Sequence, residues 1–412
     1  MSRLLRFRVG RLGTNAMLGT VGLVARAGLQ AVYLIALTRV LGAAGYGKFA
    51  GSVAVATIAA ALAGWGIAQV LFERVSKDRP SASTLWARAL AQTAVTGGAL
   101  AALVVSALAA FGTAIDTPTL ALLCVSELVF VPLSATANLT LLAQERAGRA
   151  AMVAASIPLM RLVALALALL VAAPVTLEGI AVAHFAGSLF GVIVSVAVVR
   201  ASGTRVARAA MPPTLILHDG TRYALGALAA AAYTEIDKVL ALELAGAESA
   251  GHYTAAFRIV AVLALPVWGL LNAAVPRLFA APDETGRRRL LVPLVGAALA
   301  YSVGAGVVCA LGAGTIVQIF GNQFAHSGDS LAVLAIWLPL FALRQCGAFA
   351  LTTSGRQSLR VGIELGGLAL LVACDIALLP RLGGVGAAWA LLITEAVLVI
   401  ACWASVFVRR RS

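Results

Sequence analysis

The sequence predicts an all-α polytopic integral membrane protein: twelve transmembrane helices in two six-helix lobes around a central cationic cavity. Three observations predict it. Apolar runs of about 20 residues, the length that crosses a bilayer's hydrocarbon core, recur from end to end. Basic residues collect on alternate connections between those runs. Six further bases lie inside the runs, where a charge is costly. The composition agrees, since 61% of the 412 residues are hydrophobic and only 12% are charged. A soluble domain carries about 25% charged residues. A soluble single domain, a disordered chain and a fibrous repeat are therefore excluded.

The first run, 15–38, follows Arg3, Arg6, Arg8 and Arg11, as a signal peptide would. It is too long for a signal core and contains Arg26, so it reads as a retained helix. A glycine-bearing turn, Leu41–Gly47, leads into run 48–71. Arg74, Lys77 and Arg79 separate that run from 85–111, and Asp116 precedes 119–143. Arg146 and Arg149 introduce 150–173, and 178–199 closes the first half. The longest connection, Arg200–Arg222, then divides the spans six and six, and its Met211-Pro212-Pro213 interrupts any continuous helix. The second half repeats the plan with 223–245, 252–275, 290–313, 329–353, 359–379 and 385–408. The domain reading is accordingly a lobe over 1–199, a linker over 200–222 and a lobe over 223–412. The turn Gly246–Tyr253 occupies the place in the second half that Leu41–Gly47 holds in the first, which suggests parallel repeats about an axis along the membrane normal.

With the N-terminus inside, 22 of the 31 Lys and Arg residues fall on cytoplasmic segments and three, Arg39, Lys48 and Arg381, on the opposite side. Inserting or removing a span would scramble this asymmetry, so span count and orientation support each other. Both termini are expected in the cytoplasm. The net charge of +14 thus reflects membrane orientation and a cationic interior, with no nucleic-acid partner expected.

Six bases remain within spans: Arg26, Arg88, Arg161, Lys238, Arg258 and Arg344. Arg88 lies one turn inside its helix and can snorkel to the surface. Local neutralisation needs an acid three or four residues away. Lys238 has Glu235; Arg26, Arg161, Arg258 and Arg344 have none. Four unpaired guanidinium groups imply a hydrated, cationic cavity, and the guanidinium fork suits phosphate oxygens, so an anionic ligand is expected. Pairing across helices is the other reading, because Glu127, Asp237, Glu243, Asp375 and Glu395 are also intramembrane. Pro132, Pro158, Pro266 and Pro339 sit well inside spans 4, 5, 8 and 10, where each can kink its helix.

No catalytic pattern is present. None of the three lysines lies in a Gly-Lys-Ser/Thr loop, the four histidines form no H-E-x-x-H, and no Gly-x-Ser-x-Gly elbow occurs. The five cysteines form no C-x-x-C. Neither an enzyme nor a metal site is expected, and no cofactor.

The run Thr38-Arg39-Val40-Leu41-Gly42-Ala43-Ala44-Gly45-Tyr46-Gly47 resembles the signature after the first helix of polysaccharide-precursor (O-antigen type) flippases of the multidrug/oligosaccharidyl-lipid/polysaccharide exporter superfamily. Asp237-Lys238 followed by Gly251–Arg258 is similar to that family's seventh and eighth helices, and Phe320-Gly321 and Leu382–Ala388 match as well. The resemblance implies a bacterial cytoplasmic-membrane protein that moves an undecaprenyl-pyrophosphate-linked oligosaccharide from the inner to the outer leaflet by alternating access, alongside polysaccharide polymerase machinery. Carried over by position, it implies that Arg26 and Arg258 hold the pyrophosphate. The charge argument alone adds Arg344, Arg161 and Lys238. Asp237, Asp375 and Glu395 are the candidates for Na⁺ or H⁺ coupling, with the membrane potential as a further driving force. The competing expectation is an ion-coupled drug or metabolite antiporter of the same superfamily, whose cation substrate would need the acids to line the cavity.

Overall fold

The computed structural model describes residues 11–171, 176–204, 216–280 and 283–408. The Met211-Pro212-Pro213 break, Arg3 to Arg8, Arg205, Arg208 and Arg409 to Arg411 lie outside the described residues.

The described chain is helical nearly throughout. Its first helix, α1 (Arg11–Ala60), has 50 residues. At 1.5 Å per residue that is about 75 Å, more than twice the bilayer core. It is two crossings joined at Gly42, where φ is 66° and ψ is −177°. Then follow α2 (Ile67–Lys77), α3 (Ala82–Phe111), α4 (Thr117–Val125), α5 (Val131–Ala143), α6 (Ala147–Val171) and α7 (Leu177–Ala201). The second long helix, α8 (His218–Phe279), breaks at Gly246, with φ 85° and ψ 167°. After it come α9 (Glu284–Leu311), the short α10 (Ile316–Phe320), α11 (Ser327–Thr353), α12 (Gln357–Leu382) and α13 (Gly384–Phe407). Ten stretches among the described residues are long and apolar enough to cross a membrane. Two of them, of 57 and 58 residues, are long enough to cross twice, which gives the twelve expected crossings. The chain is a multi-pass membrane protein.

Two interruptions have clear causes. Pro132 has no N–H for the carbonyl four residues back, that of Leu128, and the helix widens into a π turn over Ser126–Phe130 between α4 and α5. The α3 backbone lies against that carbonyl, because a Cβ on Gly97 would collide with it. The expected span 48–71 is also corrected: it is not one helix but stops at Ala60 and restarts at Ile67. Between them Gly64, Trp65 and Gly66 all have positive φ, of 74°, 49° and 73°. The freed backbone groups of Gly64 find side-chain partners, as lipid demands, and the Trp65 indole finds one too. Gln92 Nε2 donates to the Gly64 carbonyl at 2.8 Å, Gly64 N–H donates to Thr96 Oγ1 at 2.6 Å, and Trp65 Nε1 donates to Thr221 Oγ1 at 3.0 Å.

Two compact units divide the chain. One comprises residues up to Leu34 with Val55–Leu228. It buries an apolar core of Val70, Leu71, Trp86, Leu141, Val153 and Val199 from α2, α3, α5, α6 and α7. Inside it α6 and α7 meet at backbone distance, since a Cβ on Gly187 would lie 2.5 Å from Cα of Arg161 and one on Gly191 2.7 Å from Cα of Ile157.

The other unit comprises Ile35–Ala54 with Ala229–Ser412. In it α11 packs against α9, α12 and α13. Residues 35–54 belong here because the second part of α1 crosses α8 at two reciprocal glycines. A Cβ on Gly47 would strike the carbonyl oxygen of Ala247, and one on Gly251 would strike that of Ala43. The same sequence offset separates 43 from 247, 47 from 251, and the breaks at 42 and 246. The repeated turns in the sequence thus correspond to one pseudo-symmetric crossing, and only residues without side chains allow it.

Candidate functional site

The expectation of four unpaired arginines is corrected. Three of the four have an acid on another crossing, two of them on a different helix and Arg258 across the Gly246 break of α8, and the alternative of pairing across helices describes them.

In the first unit, Arg161 of α6 is 5% exposed. Its Nη2 lies 2.7 Å from Glu127 Oε1, and its Nε donates to Ser188 Oγ at 2.8 Å. The same Glu127 oxygen is 2.9 Å from His184 Nε2, and His184 Nδ1 is 2.8 Å from the Tyr33 hydroxyl. One neutral tautomer satisfies all of these: Tyr33 O–H donates to Nδ1, and Nε2–H donates to the carboxylate. A buried chain of polar groups thereby ties α1 to α7, the π turn and α6. Arg161 is a member of an ion pair and not an open cation. His184 and Tyr33 escaped sequence reasoning because neither breaks an apolar pattern.

Arg26 is on the same unit, two turns before Tyr33 on α1. It is exposed and has no acid or hydrogen-bond partner among the described residues. Arg161 is its electrostatic neighbour. Two guanidinium groups against one Glu127 leave this locus with one positive charge unanswered.

In the second unit, Arg344 of α11 pairs with Glu395 of α13, and both are buried. Glu395 also accepts from the Tyr233 hydroxyl at 2.8 Å and from Trp337 Nε1 at 3.3 Å. Arg344 thus anchors a satisfied carboxylate, which corrects its placement as a cavity-lining group. Lys238 is fully buried as well. Its Nζ lies 2.9 Å from Asp237 Oδ1 and 4.0 Å from Glu235 Oε2, and 3.6 Å above the Phe257 ring. The pairing with Glu235 expected from spacing is therefore the longer one. Asp237 also accepts from the Tyr253 hydroxyl. Arg258 faces Glu235 at 3.6 Å and donates to Tyr46, with its side chain 29% exposed. It is half-open and loosely paired. Asp375 of α12 is fully buried, and both of its carboxylate oxygens lack a hydrogen-bond partner among the described residues.

Of the five bases expected to bind an anion, the structure thus leaves Arg26 open and Arg258 partly open. Arg161, Arg344 and Lys238 are held in internal pairs. Of the three acids expected to bind an ion, Asp237 and Glu395 are occupied by bases and Asp375 is not. No group of three or more His, Cys, Asp or Glu side chains suited to a metal ion occurs among the described residues.

The family described as Polysaccharide biosynthesis protein matches this chain over residues 12–281. No curated protein matches it. Among solved structures, the chain is similar to a multidrug resistance MATE family transporter of the MOP superfamily in an inward-facing conformation, with a TM-score of 0.74 at 15% identity, covering 92% of this chain and 93% of that one. It is similar to the lipid II flippase MurJ in an inward closed conformation, with a TM-score of 0.73 at 12% identity, covering 95% and 88%. A MOP superfamily transporter from Pyrococcus furiosus, described as having a binding pocket of reverse polarity, gives 0.65 at 16% identity, covering 97% and 94%. At these identities the likeness establishes a shared fold.

Proposed function

The chain belongs to the polysaccharide biosynthesis protein family, and from that premise we propose that it is a flippase. Its cargo is an oligosaccharide linked through a diphosphate to a polyprenyl lipid, carried from the inner to the outer leaflet of the bacterial cytoplasmic membrane by alternating access. The observation that carries this reading is Arg26. It is an exposed arginine on a membrane helix, unanswered by any acid among the described residues, beside a second guanidinium that is already paired. A diphosphate offers the oxygen geometry that the guanidinium fork takes up. Arg258, held at 3.6 Å by its acid, is the second group for the head. The polyprenyl tail stays in lipid throughout.

No nucleotide is required to drive the step. With the inside negative, moving a head of charge about −2 outward is downhill by about 4–5 kcal/mol per 100 mV. A drug or metabolite antiporter, the second reading, needs carboxylates free to receive a cation. Glu127, Asp237 and Glu395 are each tied to a base, which leaves Asp375 alone of these acids without one and disfavours a cavity lined by several free carboxylates.

The test is depletion of the protein in its native host, with mass spectrometry of polyprenyl-linked intermediates. Accumulation of one complete oligosaccharide-diphosphate lipid supports the reading and names the cargo. Unchanged lipid-linked pools with intact surface glycan would overturn it.

A further inference from the structure

The second unit holds a buried group of charges that does not balance by itself. Glu235 and Asp237 on the first part of α8 and Asp375 on α12 supply three carboxylates. Lys238 and Arg258, both on α8, supply two bases. Each base is already near an acid: Lys238 with Asp237 at 2.9 Å, Arg258 with Glu235 at 3.6 Å. Asp375 is the one left over, fully buried with neither oxygen hydrogen-bonded.

An ionised carboxylate in that position would face the desolvation cost of a charge in a low-dielectric interior, with no hydrogen bond to offset it. The charged groups that act on it are Asp237, which repels a second negative charge, and Lys238, which is already engaged. Tyr253, on the second part of α8, is also within its electrostatic reach, and Cys374 precedes it on α12. The charged residues of α11 and α13, which pack against α12, are Asp329, Arg344 and Glu395; Arg344 and Glu395 satisfy each other. Glu235 and Asp237 are each held by a base, so the group is neutral when one carboxyl carries a proton, and Asp375, with no ion pair or hydrogen bond of its own among the described residues, is the one placed to carry it.

We propose that Asp375 is a proton-binding site, and that loading and unloading one proton there is coupled to the transport cycle through Lys238, Asp237 and Tyr253. This rests on the flippase reading and names its coupling ion. The coupling has a structural route. Asp237 lies before the Gly246 break of α8 and Tyr253 after it, so the hydrogen bond from Tyr253 to Asp237 spans the break. When Asp375 gives up its proton, the new negative charge competes with Asp237 for the Lys238 ammonium. That weakens the hold of Asp237 on both Lys238 and Tyr253 and frees the two parts of α8 to change their angle. Because Lys238 already supplies the fixed cation of the group, one proton and no metal ion completes it.

The experiment has two arms on the full chain in lipid vesicles. Infrared difference spectroscopy looks for the C=O stretch of a protonated carboxylic acid as pH is stepped. The expected band is present in the wild type, absent in Asp375→Asn, retained in Asp237→Asn and insensitive to Na⁺. Should Asp375→Asn fail to fold, Asp375→Glu serves instead, with the band shifted in frequency and not lost. The second arm follows a fluorescent polyprenyl diphosphate oligosaccharide with the membrane potential clamped to zero. With one proton exchanged per cycle, a gradient of one pH unit shifts its leaflet ratio by about tenfold, and Asp375→Asn shows no response. Absence of the band, its displacement by Na⁺, or a wild-type ratio indifferent to the gradient would overturn the proposal. If the wild type moves no polyprenyl diphosphate under any condition, the flippase reading falls, and the proton site is then judged by the band alone.

Discussion

Arg161 and Glu127 lie on different membrane crossings, yet Nη2 of one sits 2.7 Å from Oε1 of the other, with both side chains less than 10% exposed. Each charge is tolerable only because of its partner, and His184 and Ser188 add one hydrogen bond each to the pair. Glu127→Ala strands a buried guanidinium and is expected to cost about 3–5 kcal/mol. Replacing both members with apolar residues of similar volume is expected to cost much less. Thermal unfolding of the single and double variants in lipid nanodiscs measures the difference.

Arg344 and Arg26 are expected to separate stability from transport. Arg344→Ala leaves Glu395 without its ion partner in the interior, which costs about 3–5 kcal/mol. Arg26→Ala removes an exposed side chain with no partner, and its unfolding midpoint is expected to stay within about 0.5 kcal/mol of wild type. Equal destabilisation by the two substitutions would contradict this division.

The crossing of α1 and α8 depends on residues without side chains. Gly47→Ala places a methyl group against the Ala247 carbonyl, and Gly251→Ala one against the Ala43 carbonyl. Each is expected to cost about 1–3 kcal/mol as the helices are forced apart. The control is Gly226, on the same helix with open space where a Cβ would stand. Gly226→Ala is expected to be neutral or to stabilise by up to about 1 kcal/mol. Yield and unfolding midpoint of the three variants decide it.

At the start of α4, the Asp116 carboxylate accepts the Thr119 N–H at 3.0 Å, and this backbone hydrogen bond holds its pKa below the usual carboxylate value. A depressed carboxylate contributes stability above its unfolded pKa and loses it as pH falls through the folded one. Asp116→Ala is therefore expected to weaken the cap by about 1 kcal/mol or less near neutral pH, with the difference fading in acid. Asp116→Asn keeps an acceptor but has no such pH dependence. Hydrogen exchange of the Thr119 and Leu120 amides reports on it.

The crossings were legible because run length and the placement of bases are one-dimensional signals. The breaks at Gly42 and Gly246 were legible for the same reason, as repeated glycine-bearing turns. The interruption at Gly64–Gly66 was not, since a tryptophan with positive φ is sustained there by Gln92, Thr96 and Thr221 from other helices. The partners of Arg161 and Arg344 were equally hidden. The spacing rule finds acids three or four residues away, whereas Glu127 and Glu395 come from other crossings. The helices are apolar on nearly every side, so no hydrophobic face fixes which way each arginine points. Asp237 beside Lys238 fell outside the same rule, although it is the nearer acid.

The most direct test of the account is transport by the purified chain in sealed vesicles. A fluorescent polyprenyl diphosphate oligosaccharide is supplied to one leaflet, and its arrival in the other is read by quenching from outside. The account predicts protein-dependent flipping, accelerated when the side that receives the lipid is made electrically positive. It also predicts a rate lower by about tenfold or more in Arg26→Ala, the loss of a charge-assisted contact, with folding unchanged. Wild-type vesicles no faster than protein-free ones, or an Arg26→Ala variant that flips at the full rate, would contradict it.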